Sequence, residues 1–273
     1  MAGGYIHSFS ATEQARLVAQ AKFLEPYIFP TIAFPGCVRI LEVGCGVGAE
    51  LQILRRRFPE AKLTGLDCST SQLAKARALL TADLASGQIE LRQGSAYDLP
   101  FDLGAFDGVC LVWVLEHLTN PELALREAGR VLRPGGWLSV TEVCNASWET
   151  APPCPAMADY WRAFNELQRA LGGQPDVGTQ LADLAAKAGF TEIQFRTLPV
   201  RMDGTIRDPG SRRRFIDYWQ SLWLSGADQL RDRKMISHAL VGDIQAEFAG
   251  LANDPEAVFH YTACQISART PAG

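Results

Sequence analysis

The stretch Val38-Arg39-Ile40-Leu41-Glu42-Val43-Gly44-Cys45-Gly46-Val47-Gly48 constrains this chain more than any other. An apolar run ending in closely spaced glycines reads as a buried strand that turns sharply into a helix. Glycine at such a turn permits positive φ and lets a ligand approach the backbone. The helix that follows, to about Arg57, points its free N–H groups back at the turn, which suits a carboxylate or phosphate. A second short strand, Lys62 to Leu66, ends on Asp67. There a carboxylate can accept both hydroxyl hydrogens of a ribose. The spacing is GxGxG rather than the dinucleotide GxGxxG, and Glu42 stands two positions before the first glycine.

The pattern continues as alternating strand and helix. Ser10-Ala-Thr-Glu13 has the capping-box form and opens a helix carrying Leu17, Ala21, Leu24 and Ile28. Ser69 caps a helix running to about Leu84, and Ile89 to Arg92 reads as a third strand. Phe106 to Val112 has the length of a buried parallel strand. Asn120-Pro121 starts a helix, Arg133-Pro-Gly-Gly136 makes a turn, and Trp137 to Val143 is a fifth strand. This βαβ spacing predicts an α/β fold, a parallel sheet with helices on both faces. The second half differs. Tyr160, Trp161, Phe164, Leu167 and Leu171 share one helical face, as do Phe215, Tyr218, Trp219, Leu222 and Trp223. Asp176 to Ala188 reads as a helix, and strands are expected near 191–200 and 258–268.

Composition removes alternatives. A formal net charge of −4 over 273 residues argues against a nonspecific nucleic-acid or anionic-membrane binder. No apolar run reaches the ~18–20 residues of a bilayer span. Met1 to Ser10 lacks a basic segment followed by an apolar one, so no secretory signal is expected. The seven cysteines include no CxxC pair, which fits reduced thiols in a cytoplasmic protein.

The segments LEVGCGVG at 41–48, GLDCS at 65–69, QGSAYDLPF at 93–101, FDGVCLVWVLEHL at 106–118 and VLRPGGWLSV at 131–140 resemble the class I S-adenosylmethionine-dependent methyltransferases. The likeness is strongest to the branch that holds ubiquinone- and menaquinone-biosynthesis enzymes and many small-molecule methyltransferases. It implies a Rossmann-like, mostly parallel seven-stranded sheet with helices on both faces, an antiparallel last strand, and N-terminal and inserted lid helices. It implies S-adenosyl-L-methionine as cofactor and no metal. Gly44, Cys45, Gly46 and Gly48 would line its methionine part and ribose, and Glu42 would orient the loop and help hold the amino group. Asp67 would bind the ribose and Cys68 the adenine face. Ser95 and Ala96 would flank the adenine edge, with Ser95 standing where many relatives carry Asp, a stronger acceptor. Leu111, Val112 and Trp113 would face the sulfonium end, and Tyr5 would cover the methionine end.

The same resemblance divides the single expected domain, 1–273. Residues 1–35 form an N-terminal helical cap and 36–145 the cofactor-binding core. Residues 146–175 and 201–256 form helical lid segments, and 176–200 and 257–273 complete the sheet. The lid aromatics Trp148, Tyr160, Trp161, Phe164, Trp219 and Trp223 are expected, with Trp113, to bind the substrate. Arg16 and Gln20 could reach the cofactor carboxylate; Arg212-Arg-Arg214 reads as a solvated face. His117 reads as a structural histidine. The expected activity is methyl transfer to a small aromatic or apolar molecule, at oxygen or nitrogen by prior, with ring methylation of an indole-type acceptor as an alternative. A non-catalytic cofactor-binding protein and a protein or RNA methyltransferase stand behind it. A homodimer is left open. His7 is the first candidate for a base. His7→Ala is therefore expected to lower turnover more than cofactor affinity, read by steady-state kinetics beside calorimetry; unchanged turnover removes it.

Overall fold

The computed structural model describes Ile6 and residues 10–273. In chain order the elements are α1 (Ala11–Ile28), β1 (Arg39–Val43), α2 (Ala49–Arg57), β2 (Lys62–Asp67), α3 (Thr70–Leu79), α4 (Thr81–Ala85), β3 (Ile89–Gln93) and β4 (Phe106–Val112). There follow α5 (Pro121–Val131), β5 (Leu132–Ala151), α6 (Pro155–Ala170), α7 (Leu181–Lys187), β6 (Thr191–Met202), α8 (Pro209–Trp223), α9 (Ala227–Asp232), α10 (His238–Asn253) and β7 (Val258–Arg269). The strands form one seven-stranded sheet in the order β3-β2-β1-β4-β5-β7-β6. The first five strands in that order pair in parallel, and β7 lies antiparallel between β5 and β6. This is the Rossmann-like fold the sequence led us to expect.

Local chemistry explains the helix starts. Glu13 N–H donates to Ser10 Oγ at 3.2 Å, and Leu123 N–H donates to Asn120 Oδ1 at 3.1 Å with Pro121 opening α5. Each satisfies a backbone donor that a helix leaves unpaired in its first turn. β4 is buried along its whole length, at the centre of the sheet. Its side chains alternate between two apolar layers. Cys110 and Val112 join Ile40 and the lid aromatics on one face, while Leu111 joins Leu41, Val43, Leu125 and Leu181 on the other. At the lower edge Asp107 ties three strands together. Its Oδ2 accepts from Val38 N–H at 3.1 Å and Arg39 N–H at 2.9 Å, and its Oδ1 from Arg133 Nε at 2.9 Å.

Several details depart from the sequence reading. β5 does not end at Val143. After a register shift between Cys144 and Glu149 it resumes, pairing Glu149 with His260, Thr150 with Phe259 and Ala151 with Val258. Residues 146–151 are thus sheet rather than helical lid, because the long β7 offers backbone partners beyond Cys144. The Arg133–Gly136 turn survives as a bulge inside β5, with Gly135 at φ +67°. The helix expected to reach Leu84 breaks at Leu80 into α3 and α4.

Arg212 overturns the expected solvated face. It is 2% exposed, and its guanidinium donates to the carbonyls of Asp203, Ile206, Leu251, Asp254 and Ala257. One side chain thereby fastens the start of α8 to the end of β6 and to the α10–β7 connection. Its neighbour Arg213 meets the expectation of an exposed cation, pairing with Asp217 at 2.8 Å. Arg212→Met should leave these carbonyls without their donor and cost roughly 3 kcal/mol. In a chain of this size that corresponds to roughly 6–12 °C in melting temperature, measurable by circular dichroism; a shift under about 2 °C would show that the anchor is dispensable.

Candidate functional site

The loops at the C-terminal ends of β1, β2, β3 and β4 meet at one edge of the sheet, the place where open α/β sheets receive ligands. The β1 loop is fixed from the next strand. Gly44 N–H and Cys45 N–H donate to Leu66 O at 2.7 and 2.9 Å. Gly46 N–H donates to Asp67 Oδ2 at 2.9 Å, and Ser69 N–H to Asp67 Oδ1 at 2.8 Å. Two of the glycines answer different demands. Gly44, at φ +75°, lies where a Cβ would meet Val114 Cγ2 at 2.5 Å, so the β4 loop packs directly on it. Gly46, at φ +49°, has nothing within 4 Å of an added Cβ, so the backbone there faces open space.

Three carboxylates gather behind this loop. Glu42 is 2% exposed, and its Oε2 has no hydrogen-bond partner. Burial, and then the charges of Glu50 and Asp67, push its carboxyl well above the usual range. Glu50, in the first turn of α2, is pushed up to about 7 by burial, with backbone hydrogen bonding and Arg16 pulling the other way. Burial raises Asp67 against the backbone N–H groups that hold it. Such a concentration of carboxylate with one orphaned oxygen suits a ligand carrying positive charge or N–H donors. Arg16 and Gln20 stand beside it and bond to each other at 2.6 Å, while Arg16 also grips Glu13 at 2.8 and 2.6 Å.

The remaining donor-side residues separate by exposure. Cys45 is buried, so only its backbone lines the loop. Cys68 and Ser95 are exposed at the ends of neighbouring strands, Ser95 Oγ accepting from Tyr97 N–H at 3.1 Å, with Ala96 half-buried beside it. Leu111 is fully buried, and its side chain packs in the layer away from Val112, so strand alternation prevents the two from facing one ligand. Tyr5 and His7 lie outside the described residues.

Beyond the end of β4 lies a cavity of about 80 Å³. Arg16 and Gln20 of α1 border it on one side, and Trp113, Glu116 and His117 of the β4 loop on another. Asn145 and Tyr261 form its sheet side; Trp161, Phe164, Tyr218 and Trp219 come from the lid. Trp113 adopts φ +57°, the sharp exit from β4 that sends the chain along this wall. The predicted aromatics therefore divide. Trp113, Trp161, Phe164 and Trp219 line the cavity, whereas Trp148, Tyr160 and Trp223 do not. Tyr160 and Trp223 are fully buried, Trp223 stacks on Trp161 at 3.8 Å, and Trp148 tilts against Trp223 at 5.3 Å. These three form the layer behind the wall.

Tyr218, one of the aromatics on the lid stripe, joins the lining, whereas Glu50, Glu116, Asn145 and Tyr261 were not anticipated. Glu116 stands next to His117 in the motif, but a half-turn of sequence gives no sign of which residue points inward. Its position is set by Glu142, a fully buried residue of β5 that caps the short 3-10 turn Leu115–His117. Glu142 Oε1 accepts from Val114 N–H at 2.8 Å and Leu115 N–H at 2.6 Å, and Oε2 from Glu116 N–H at 3.3 Å. Burial and the nearby Glu116 push the Glu142 carboxyl up to about 8. Among the described residues no cluster of three His, Cys, Asp or Glu side chains is arranged to hold a metal ion, and no helix is long and apolar enough to cross a membrane.

Comparison with known proteins bears on this arrangement. Residues 41–140 match the family described as "Methyltransferase domain". The O-methyltransferase cnsE of Penicillium expansum is 31% identical over 198 residues, 71% of this chain and 67% of that protein. A demethylmenaquinone methyltransferase of Symbiobacterium thermophilum is 29% identical over 232 residues, 76% of this chain and 89% of its own length. The O-methyltransferase resE of Aspergillus sclerotiorum is 31% identical over 157 residues, 57% of this chain and only 56% of that protein. Among solved structures, the Haemonchus contortus phosphoethanolamine N-methyltransferase 2 bound to S-adenosyl-L-methionine shares the fold, with a TM-score of 0.58 at 15% identity over 97% of this chain and 57% of that one. The chain belongs to the class I S-adenosylmethionine-dependent methyltransferases.

Proposed function

We propose that this chain transfers a methyl group from S-adenosyl-L-methionine to a small aromatic or apolar molecule, with oxygen or nitrogen as the accepting atom. The observation that carries the reading is the pairing of two features at one sheet edge. One is a glycine loop with open space at Gly46 and an orphaned carboxylate oxygen on Glu42; the other is an aromatic-walled cavity beside it. These fit the cofactor. The open backbone at Gly46 leaves room for its methionine and ribose parts. Asp67 uses one lone pair on each oxygen for the loops and keeps others for ribose hydroxyls. Glu42 Oε2 can take an amino N–H, and Cys68, Ser95 and Ala96 stand where the base would rest.

When bound, the cofactor supplies a methyl group on a sulfonium sulfur; the C–S bond breaks with its electron pair going to sulfur, the methyl bonds to the acceptor, and an O–H or N–H acceptor loses a proton. The protein's own contribution is positioning and exclusion of water. Trp113, Trp161, Phe164 and Trp219 give the cavity an aromatic lining that suits a flat acceptor and favours nearby positive charge. Arg16, saturated by Glu13 and Gln20, is not free to recruit an anionic acceptor.

Two experiments test this. In calorimetry with S-adenosylhomocysteine, Asp67→Ala and Gly46→Val should each weaken binding about tenfold or more, the first by releasing the loop and the second by filling its open space; near-normal affinity in both would refute the site. With S-adenosylmethionine labelled in its methyl group, label should pass to members of a panel of small phenols, aromatic amines and indoles. Cofactor binding without transfer to any of them would instead favour a binding protein or a macromolecular acceptor.

A further inference from the structure

The charges around the cavity narrow the choice of accepting atom, given the methyl-transfer reading above. Glu116 brings a carboxylate to the wall, its side chain 10% exposed. Its Oε2 accepts from Gln168 Nε2 at 2.7 Å, and its Oε1 lies 3.7 Å from His117 Nε2, beyond hydrogen-bond reach. The backbone that carries it is pinned as well: Glu116 N–H donates to Glu142 Oε2 at 3.3 Å, and Glu116 O accepts from Gln174 N–H at 2.7 Å. Arg16, the arginine of the lining, turns its guanidinium to its own helix, bonding to Glu13 at 2.8 and 2.6 Å and to Gln20 at 2.6 Å. Behind Glu116 stands a second carboxyl, Glu142, which burial and the Glu116 charge hold up at about 8. The cavity thus joins an uncompensated carboxylate to an aromatic lining, surroundings that favour a cation.

Two phenols of the chain, Tyr218 and Tyr261, already stand in this lining and report the field an acceptor meets. Burial, and then the charges of Glu116 and Cys144, hold the Tyr261 hydroxyl well above the usual range. Burial likewise raises Tyr218, against the pull of Arg16. A phenolic acceptor sheds its proton as it takes the methyl group, and the same field opposes that loss. An amine meets no such penalty. Its free base attacks through the nitrogen lone pair, having given any extra proton to water beforehand. The C–S bond breaks with its electron pair going to sulfur, the N–C bond forms from the lone pair, and the positive charge of the sulfonium passes to nitrogen. The methylated ammonium leaves as a cation or gives one proton to water. A carboxylate fixed beside the nitrogen stabilises the charge that develops there.

We propose that the acceptor is a small amine carried on an aromatic ring by a short alkyl arm, that the methyl group goes to its nitrogen, and that the Glu116 carboxylate stabilises the positive charge arriving there. Glu116 is then the residue that selects amines over phenols. The cavity, at about 80 Å³, keeps the molecule small.

Three probes of similar size test this: phenethylamine has the amine alone, 4-ethylphenol the phenol alone, and tyramine both. Calorimetry on protein saturated with S-adenosylhomocysteine should show phenethylamine binding about tenfold or more tightly than 4-ethylphenol. With S-adenosylmethionine labelled in its methyl group, tyramine should carry the label on nitrogen, read by separating the N-methyl and O-methyl products. Glu116→Gln keeps the shape and an oxygen for Gln168 but removes the charge. It should bring the two single-group probes within about threefold of each other and slow transfer to tyramine about tenfold or more. The variant is first checked for S-adenosylhomocysteine binding and for a melting temperature near that of the parent; should it fail to fold, the probe order and the labelled atom in the parent still decide. Equal or tighter binding of 4-ethylphenol, binding of neither probe, label on the tyramine oxygen or on neither atom, or a preference that survives Glu116→Gln overturns the inference while leaving the cofactor site intact. Failure of the parent protein to bind S-adenosylhomocysteine overturns the methyl-transfer reading itself.

Discussion

The Asp67 carboxylate, accepting Gly46 N–H on one oxygen and Ser69 N–H on the other, is the contact on which the donor side depends. A glycine loop is conformationally free, and its value to a ligand lies in being held in one shape. Here the holding is done from the neighbouring strand, so the two loops that must cooperate are joined before any ligand arrives. The same oxygens keep lone pairs for a bound ribose. On the proposed reading, structure and recognition draw on one side chain, and substitution at Asp67 cannot separate them.

The device is repeated on the other side of the sheet centre. Asp67, at the end of β2, clamps the loop after β1. Glu142, on β5, clamps the loop after β4 through the N–H groups of Val114, Leu115 and Glu116. At the opposite edge Asp107 of β4 takes the N–H groups of Val38 and Arg39 where β1 begins. In each case a carboxylate on one strand satisfies backbone donors that the adjacent segment leaves without sheet partners. β1 and β4, the central pair, are thus fixed at their ends by side chains as well as by their ladders. The β4 loop in turn packs Val114 against Gly44, so the clamp at Glu142 bears on the glycine loop as well as on the cavity wall.

Much of this was legible in the sequence where the signal is local. A strand ending in Gly-x-Gly-x-Gly, the Ser10 and Asn120 caps and the carboxylate ending β2 each announce their geometry within a few residues. What escaped depends on partners far along the chain. The extension of β5 to Ala151 needs β7 to pair with, over a hundred residues on. Arg212 looked like one of three exposed cations because nothing nearby reveals that two separate segments, after β6 and between α10 and β7, aim carbonyls at it. The aromatic stripes marked the buried face of each lid helix but not what it was buried against. Trp219 and Trp223 lie one turn apart on α8, yet one borders the cavity and the other stacks on Trp161. Nothing local in the sequence marks Glu50 and Glu116, whose settings depend on Arg16 of α1 and on the Glu142 cap.

The position of α8 links the cavity wall to the helix that packs beside the glycine loop. Its beginning is anchored by Arg212 to the α10–β7 connection. Further along, Tyr218 stacks on Phe23 of α1 at 3.9 Å, and the next residue, Trp219, faces the cavity. α1 carries Arg16, whose charge acts on Glu50 behind the glycine loop and on Tyr218. α8 is thus held at its start by the Arg212 anchor and further along by its stack on α1. The helix that borders the cavity is thereby joined, through α1, to the carboxylates behind the glycine loop by packed side chains as well as by the sheet.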